Sequence, residues 1–289
     1  MTRTDEKAYA KLNISLDITG KLPDGYHAMR MVMQSCSLCD ELEVSLREDG
    51  GFSCQSDLPY LPTDERNLTV KAARLFMETA KITDKGVHID VKKRIPVCAG
   101  LGGGSSDAAA TLRALNRLTG AGFSRKELEK MGEGLGSDVP YCVAGGTVLA
   151  EGKGEILTPL VEIPDFHAII CKPEFSISTP ELFAQVSCAG IKLRPDTQGI
   201  IQALESGDLA RIARRMYNVF EDILPQRYGE VFKIKDSILG HGALGAAMTG
   251  TGSAVFGLFE DEAKARAAHK ALRSEYKSCF LCHKAKASV

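Results

Sequence analysis

Pro96-Val97-Cys98-Ala99-Gly100-Leu101-Gly102-Gly103-Gly104-Ser105-Ser106-Asp107 runs without a break into Ala108-Ala109-Ala110-Thr111-Leu112-Arg113-Ala114-Leu115-Asn116-Arg117-Leu118. Four of the five residues from Gly100 to Gly104 are glycine. Glycine loses the most backbone freedom on ordering, so the run predicts a loop. Ala108, Leu112, Leu115 and Leu118 recur at helical spacing, and Ser105, Ser106 and Asp107 are good N-cap residues, so a helix is predicted to follow. A glycine loop that opens a helix presents unpaired backbone N–H groups at the positive end of the helix dipole, with no side chain in the way of a phosphate. No lysine follows the glycines as a P-loop requires, and Ser105 stands where a dinucleotide fingerprint needs its third glycine. The other reading is a structural turn before a core helix. Four glycines, two serines and an aspartate opening an alanine-rich helix favour anion binding.

A chain of 289 residues predicts two domains. With 44% hydrophobic and 25% charged residues it has the composition of a soluble globular protein. A net charge of −1 offers no global attraction to nucleic acid or an acidic membrane, so neither is expected as a partner. The charged N-terminus has no apolar segment of a signal peptide, and no run approaches a membrane span. Nine scattered cysteines then read as thiols of a cytoplasmic protein. Cys36/Cys39 and Cys279/Cys282 have ligand-like spacing, but strands would point each pair to opposite faces, and no metal site is expected there.

Outward from the loop, residues 8–18 alternate, placing Leu12, Ile14, Leu16 and Ile18 on one face of a strand and Lys11, Asn13, Ser15 and Asp17 on the other. A solvated face is the usual fate of such polar residues. Residues 20–25 read as a turn, followed by Tyr26-His27, an apolar stretch from Met29 to Leu38 and a strand over 41–46. Residues 47–62 read as polar loop, 67–81 as a helix and 87–91 as a strand ending in Lys92-Lys93-Arg94, a solvated basic end. Ser124 caps a helix, Ser137-Asp138-Val139-Pro140 looks like a second cap, and residues 147–151 form a strand. A boundary is expected close to residues 152–155, dividing the chain into 1–157 and 158–289. Beyond it come a buried strand over 166–171, a loop through Ser176–Pro180 capping a helix that carries Phe183, helices over 197–239, a second glycine loop over 245–253 opening the strand 254–259, a charged helix and a last strand near Cys279.

Three stretches carry a resemblance. They are Lys11-Leu12-Asn13, the run from Pro96 to Ala109, and Met248-Thr249-Gly250-Thr251-Gly252-Ser253. Together they make the chain resemble the GHMP kinases. Asp24-Gly25-Tyr26-His27, Gly136-Ser137-Asp138-Val139-Pro140, Glu151-Gly152-Lys153-Gly154-Glu155 and Ser178-Thr179-Pro180 extend the match in order over nearly the whole chain. Ser137 stands where alanine is common, and Tyr141-Cys142 where Val-Phe-like pairs are common. The resemblance implies an α+β fold in two domains, a ribosomal-protein-like N-terminal half and a ferredoxin-like C-terminal half, with the site between them.

It also implies an activity: transfer of the ATP γ-phosphoryl group to the 2-hydroxyl of 4-diphosphocytidyl-2-C-methyl-D-erythritol, a step of non-mevalonate isoprenoid synthesis. Residues 96–106 are then expected to bind ATP, with Mg²⁺ arriving on the nucleotide and Ser105 or Ser106 within its reach. The resemblance makes Asp138 the base and Lys11 its cationic partner. Independently, a helix N-terminus and a nearby cation both favour the carboxylate form of Asp138. A plain N-cap is the alternative for that residue. Tyr26 and Phe183 are expected to enclose the cytosine, with His27 reading its edge, and a core aromatic is the alternative for Phe183. Asn13 and Thr179 would touch the polyol or diphosphate, and Gly250, Thr251 and Gly252 would close over the reacting end. A kinase of the same fold acting on homoserine or mevalonate is the first rival. A non-catalytic nucleotide- or nucleic-acid-binding module is the second, disfavoured by the missing basic stripe.

Overall fold

The structure is a computed structural model and describes residues 2–186, 191 and 193–285. The first half of the chain runs β1 (Arg3–Lys21), β2 (His27–Arg47), β3 (Phe52–Ser56), α1 (Leu68–Thr79), β4 (Gly86–Lys92), α2 (Gly103–Thr119), α3 (Arg125–Glu133), α4 (Val139–Ala144), β5 (Thr147–Gly152) and β6 (Ile156–Pro159). The second half runs β7 (His167–Lys172), α5 (Thr179–Ala184), α6 (Thr197–Glu205), α7 (Leu209–Ala213), β8 (Tyr217–Asn218), α8 (Glu230–Gly240), β9 (Gly245–Met248), β10 (Val255–Phe259), α9 (Glu262–Glu275) and β11 (Ser278–His283).

β2 is the spine of the first sheet. One edge pairs antiparallel with β1 over almost its whole length. The other edge is shared, with residues 29–34 on β5 and residues 41–47 on β4. The apolar stretch and the strand that follows it in the sequence are therefore one element. β3, β6 and β8 extend this sheet to seven strands. β3 lies inside the segment expected to be loop, and two-residue β8 is too short to leave a periodic signal. β6 spans the expected boundary at 157/158 and belongs to the first sheet.

The second sheet has the order β11-β7-β10-β9, antiparallel throughout. Strand, helices, two strands, helix and strand in that order make a ferredoxin-like unit. Here the expected glycine loop over 245–253 is shortened, because Gly245–Met248 is strand β9. Gly245 is needed for close approach instead: a Cβ there would meet Ala213 O at 2.0 Å.

The alternation of β1 is interrupted where the sequence predicts it to continue. Register shifts at Tyr9/Lys11, Asn13/Ser15 and Ile18/Gly20 are β-bulges. One inserted residue moves everything after it to the other face. Leu12 and Ile14 accordingly pack with Ile200, Ile212 and Phe256, whereas Leu16 and Ile18 join the cluster of α1 and α2. β1 is covered on both faces, so Lys11, Asn13, Ser15 and Asp17 are buried and not solvated. α2 lays Ala108, Ala109, Leu112 and Leu115 into the core. Small alanines let its axis approach the sheet closely, which brings the N-terminus of α2 up to β1.

Cys36 and Cys39 lie on β2, and Cys279 faces Cys171 across β11 and β7. Among the described residues no helix is long and apolar enough to cross a membrane.

Candidate active site

The glycine loop is anchored from below by a buried ionic cluster. Asp40, 0% exposed at its side chain, accepts the backbone N–H groups of Arg94 (2.5 Å) and Ile95 (2.8 Å) through Oδ1. Lys93 Nζ donates to Asp40 Oδ2 at 2.5 Å and to Asp107 Oδ2 at 2.6 Å. The basic end 92–94 is thus not uniformly solvated, because Lys93 turns inward to the two carboxylates. Asp107 is also not an N-cap. α2 begins at Gly103 and its N-cap is Gly102, at φ 70, with no side-chain cap. Ser106 Oγ donates to Tyr9 O at 2.7 Å, tying α2 to β1. The expected caps lie inside the helix because only glycine takes the left-handed backbone at 102 without cost. The first helical bond runs from Ser106 N to Gly102 O, so the amides of Gly103, Gly104 and Ser105 precede it and make no helical bond.

A methyl group at Gly102 would stand 2.9 Å from Lys11 Cγ. The Gly102→Ala variant therefore carries left-handed strain of about 1–2 kcal/mol and displaces Lys11. We expect its kcat/KM for ATP to fall about 100-fold, measured by steady-state ADP release, with a folded far-UV spectrum. A variant with native kcat/KM would show that the close packing of Gly102 on Lys11 is unimportant.

Lys11 lies at the centre of the cleft. Its side chain is 4% exposed, and Nζ donates to Asn13 Oδ1 at 2.5 Å and stands 3.8 Å from Asp138 Oδ2. Asp138 occupies the N-cap position of α4, yet its side chain makes no capping bond and its backbone is already helical. Pro140 lies in the first turn, where its missing N–H costs nothing. The carboxylate is 31% exposed and faces Lys11 across the cleft. The second glycine loop closes this group. Gly250 N donates to Asn13 Oδ1 at 2.9 Å, and Thr249 Oγ1 stands 3.1 Å from Gly100 O. A Cβ on Gly100 would meet Thr249 O at 2.0 Å, so the two glycine loops touch through their backbones. The structure thus gathers Lys11, Asn13, Gly100, Gly102, Asp138 and Gly250. Asn13 is fully buried and committed to this network, and its Nδ2 donates to Met31 Sδ at 3.3 Å.

The other expected residues form two groups. The His27 ring stands 5.1 Å from that of Phe183, tilted by 31°, and Phe183 rests edge-on against Phe220 at 4.9 Å. Tyr26 is 61% exposed, with Lys153 Nζ 4.5 Å above its ring. Lys153 pairs with Asp24 at 2.5 Å and, by hydrogen bonding, holds its carboxyl below the usual range. Thr179 Oγ1 and Thr251 Oγ1 are 2.7 Å apart, linking α5 to the second glycine loop. Gly252 faces inward, toward Met248 and Ile177. Residues 96–98 line a hollow of about 480 Å³ with Leu58, Tyr60 and Lys172. Cys98 there has φ 53, unusual for a residue with a side chain. Leu58, Tyr60, Lys172 and Asn218 were not singled out by sequence, because they come from segments with no motif, whereas Lys153 lies in the quoted run Glu151–Glu155 without a role having been given to it.

An uncapped helix start, a buried lysine and a partly exposed aspartate thus stand within reach of each other in one cleft. The description of the GHMP kinases N terminal domain matches residues 67–146, and that of the GHMP kinases C terminal domain matches residues 200–278. The chain belongs to the GHMP kinase family, whose chemistry uses ATP. A 4-diphosphocytidyl-2-C-methyl-D-erythritol kinase of Clostridium botulinum (strain Alaska E43 / Type E3) is 42% identical over 277 residues, 96% of this chain and 98% of that protein. The enzyme of the same name from Acetivibrio thermocellus (strain ATCC 27405 / DSM 1237 / JCM 9322 / NBRC 103400 / NCIMB 10682 / NRRL B-4536 / VPI 7372) is 41% identical, covering 95% of this chain and 96% of that one. A crystal structure of 4-(cytidine 5'-diphospho)-2C-methyl-D-erythritol kinase superposes with a TM-score of 0.83 at 32% identity, covering 98% of this chain and 100% of the other.

Proposed function

We propose that the chain transfers the γ-phosphoryl group of ATP to the 2-hydroxyl of 4-diphosphocytidyl-2-C-methyl-D-erythritol, releasing ADP and the 2-phosphate. The observation that carries this reading is the meeting of Lys11, Asp138 and the uncapped start of α2. The relatives' shared name supplies the substrate.

In this reading the amides of Gly103, Gly104 and Ser105 hold the nucleotide phosphates at the positive end of α2. The hollow beside residues 96–98 takes the nucleoside. Asp138 orients the 2-hydroxyl and accepts its proton as the new O–P bond forms and the bond to ADP breaks. Lys11, held by Asn13, stabilises the charge on the moving phosphoryl group without reorganising. Gly250, Thr251 and Gly252 close over this end, with Thr179 joined to Thr251. Asn13 braces the cation, and its polyol contact is secondary to that role. Phe183, His27 and Tyr26 receive the cytosine.

Among the described residues no group of three or more His, Cys, Asp or Glu side chains is placed to hold a metal ion. Mg²⁺ would arrive on the nucleotide and would ask for only one or two protein oxygens. Ser105 is the better candidate of the two serines, since Ser106 gives its hydroxyl to Tyr9. When bound, Mg²⁺ neutralises the phosphate charge. Two domains flank the cleft, and their boundary falls after β6 (Ile156–Pro159), a little beyond the expected division into 1–157 and 158–289, because β6 pairs with β5 in the first sheet. Free cysteines throughout the described residues suit a reducing cytoplasm.

The test is a coupled ADP-release assay with ATP, Mg²⁺ and the cytidyl substrate or 2-C-methyl-D-erythritol 4-phosphate. Turnover is expected only with the cytidyl compound. Phe183→Ala is expected to raise its KM about 5–150-fold, the range of one base–aromatic stack, with little change in the KM for ATP. Turnover of a simpler alcohol by the native chain would retain the kinase and discard this substrate. An unchanged KM in Phe183→Ala would remove that ring from the cytosine site.

A further inference from the structure

Asn218 closes the short parallel pairing of β8 with β1 and is completely buried. Every hydrogen-bonding group of its side chain is used. Oδ1 accepts from Phe220 N at 3.0 Å, starting the 3-10 turn of residues 219–223. Nδ2 donates to Met248 O at 2.7 Å and to Gly250 O at 2.8 Å. Three residues on, Glu221 Oε1 accepts from Met248 N at 2.8 Å, while Lys235 pairs with Oε2. β9 is an edge strand of the second sheet, hydrogen-bonded in that sheet only to β10. Two side chains from the β8 corner therefore take the place of a further strand along the edge that feeds the second glycine loop.

The geometry of that loop depends on this clamp. Gly250 is gripped from both sides, its N–H by Asn13 and its carbonyl by Asn218. The space where a Cβ would stand at Gly250 is bounded at 3.0 Å by both Lys11 Nζ and Gly100 O. A shift of the loop by a methyl radius thus reaches the ammonium group and the first glycine loop directly.

We propose that Asn218, seconded by Glu221, is a positioning residue for phosphoryl transfer: it holds Gly250 against Lys11 and so sets that cation opposite Asp138. This rests on the roles given above to Lys11 and Asp138. Asn218 touches neither nucleotide nor alcohol in this account. Its loss acts on the alignment of the reacting groups more than on binding of the cytidyl end, which lies at His27 and Phe183.

Two variants of the full chain test this. In Asn218→Ser a hydroxyl replaces the amide, remains a good N-cap for the 3-10 turn and loses the reach to both carbonyls. We expect kcat to fall about 10–100-fold, as for a small misplacement of a catalytic group, while KM for the cytidyl substrate changes less than about threefold. In Asn218→Asp the carboxylate faces two carbonyl oxygens, and protonation restores one donor. Its kcat relative to the native chain is expected to rise as pH is lowered from 8 to about 6, a recovery that a merely structural defect would not give. Should Asn218→Asp fail to fold, Asn218→Ser decides alone. A kcat within about twofold of native in Asn218→Ser, or a rise in KM for the cytidyl substrate matching the loss in kcat, overturns the proposal. An inactive native chain in the same assay instead defeats the functional reading beneath it, so the two failures are distinct.

Discussion

Asparagine in place of Asp138 lowers kcat about 10²–10⁴-fold, the range lost with a positioned general base. The substitution is nearly isosteric and keeps the hydrogen-bonding length of the side chain, but it cannot take the hydroxyl proton. Stability is expected to change little, because Asp138 makes no capping bond to α4 and its ion pair with Lys11 is long, at 3.8 Å. Lys11 keeps its bond to Asn13, so the cation stays in place and KM for ATP is expected to hold within about threefold. Steady-state kinetics together with thermal unfolding separate these effects. A variant that retains a tenth or more of native kcat would remove Asp138 as the base and leave it as a helix-start residue.

Lys93→Met is expected to cost about 3–5 kcal/mol of folding stability, the loss found when one partner of a buried ion pair is removed. The native cluster is short of one positive charge. Lys93 serves both Asp40 and Asp107, and Asp107 Oδ1 is buried with no hydrogen-bond partner. Burial above all, and the charge of Asp40 after it, push Asp107 up to about 7 in spite of Lys93. Burial disfavours the charge on Lys93, but the two carboxylates outweigh it and raise its pKa. One lysine thus supports one carboxylate fully, and the residue with the orphan oxygen keeps its proton longest. The sign follows from linkage. Between about pH 4 and 7 the native state retains a proton on Asp107 that the unfolded chain has released, so stability falls as pH rises through this window. Urea unfolding at pH 5 and pH 8 measures the slope. Asp107→Asn is expected to flatten it, and an unchanged slope in that variant would place the titration elsewhere. Because Asp107 lies in α2 just past its first turn and Lys93 directly precedes the loop, weakening of the cluster is also expected to loosen nucleotide binding.

Much of this arrangement was legible in the residues. Glycine at 100 and 102 takes the left-handed backbone that keeps the loop out of regular structure, while Gly103 and Gly104, expected as loop, already form the bare-amide start of α2. Ser124 reads as the cap of α3, because that interaction spans only three residues, whereas Asn67, expected as the first residue of its helix, turns out to be the cap of α1. The alternation of residues 8–18 announced a strand, and the ordered motifs from Lys11 to Ser253 announced the family.

Other features are properties of the assembled molecule. Bulges in β1 depend on the register imposed by β2, and they decide which neighbours Leu16 and Ile18 meet. Local propensity favoured Ser105, Ser106 and Asp107 as caps. Tertiary contacts with Tyr9 and Lys93 drew Ser106 and Asp107 inward, and Gly102 alone could turn the chain over Lys11. The ring found beside Phe183 is that of His27, while Tyr26 lies under Lys153. Residue types and short spacings determined where loops, helices and the bare glycine-rich backbone before α2 would form, because those depend on nearby φ/ψ preferences. The burial of Lys11, the inward turn of Lys93 and the grip of Asn218 on Gly250 were decided only by the tertiary structure, because each is a bond between residues far apart in the chain.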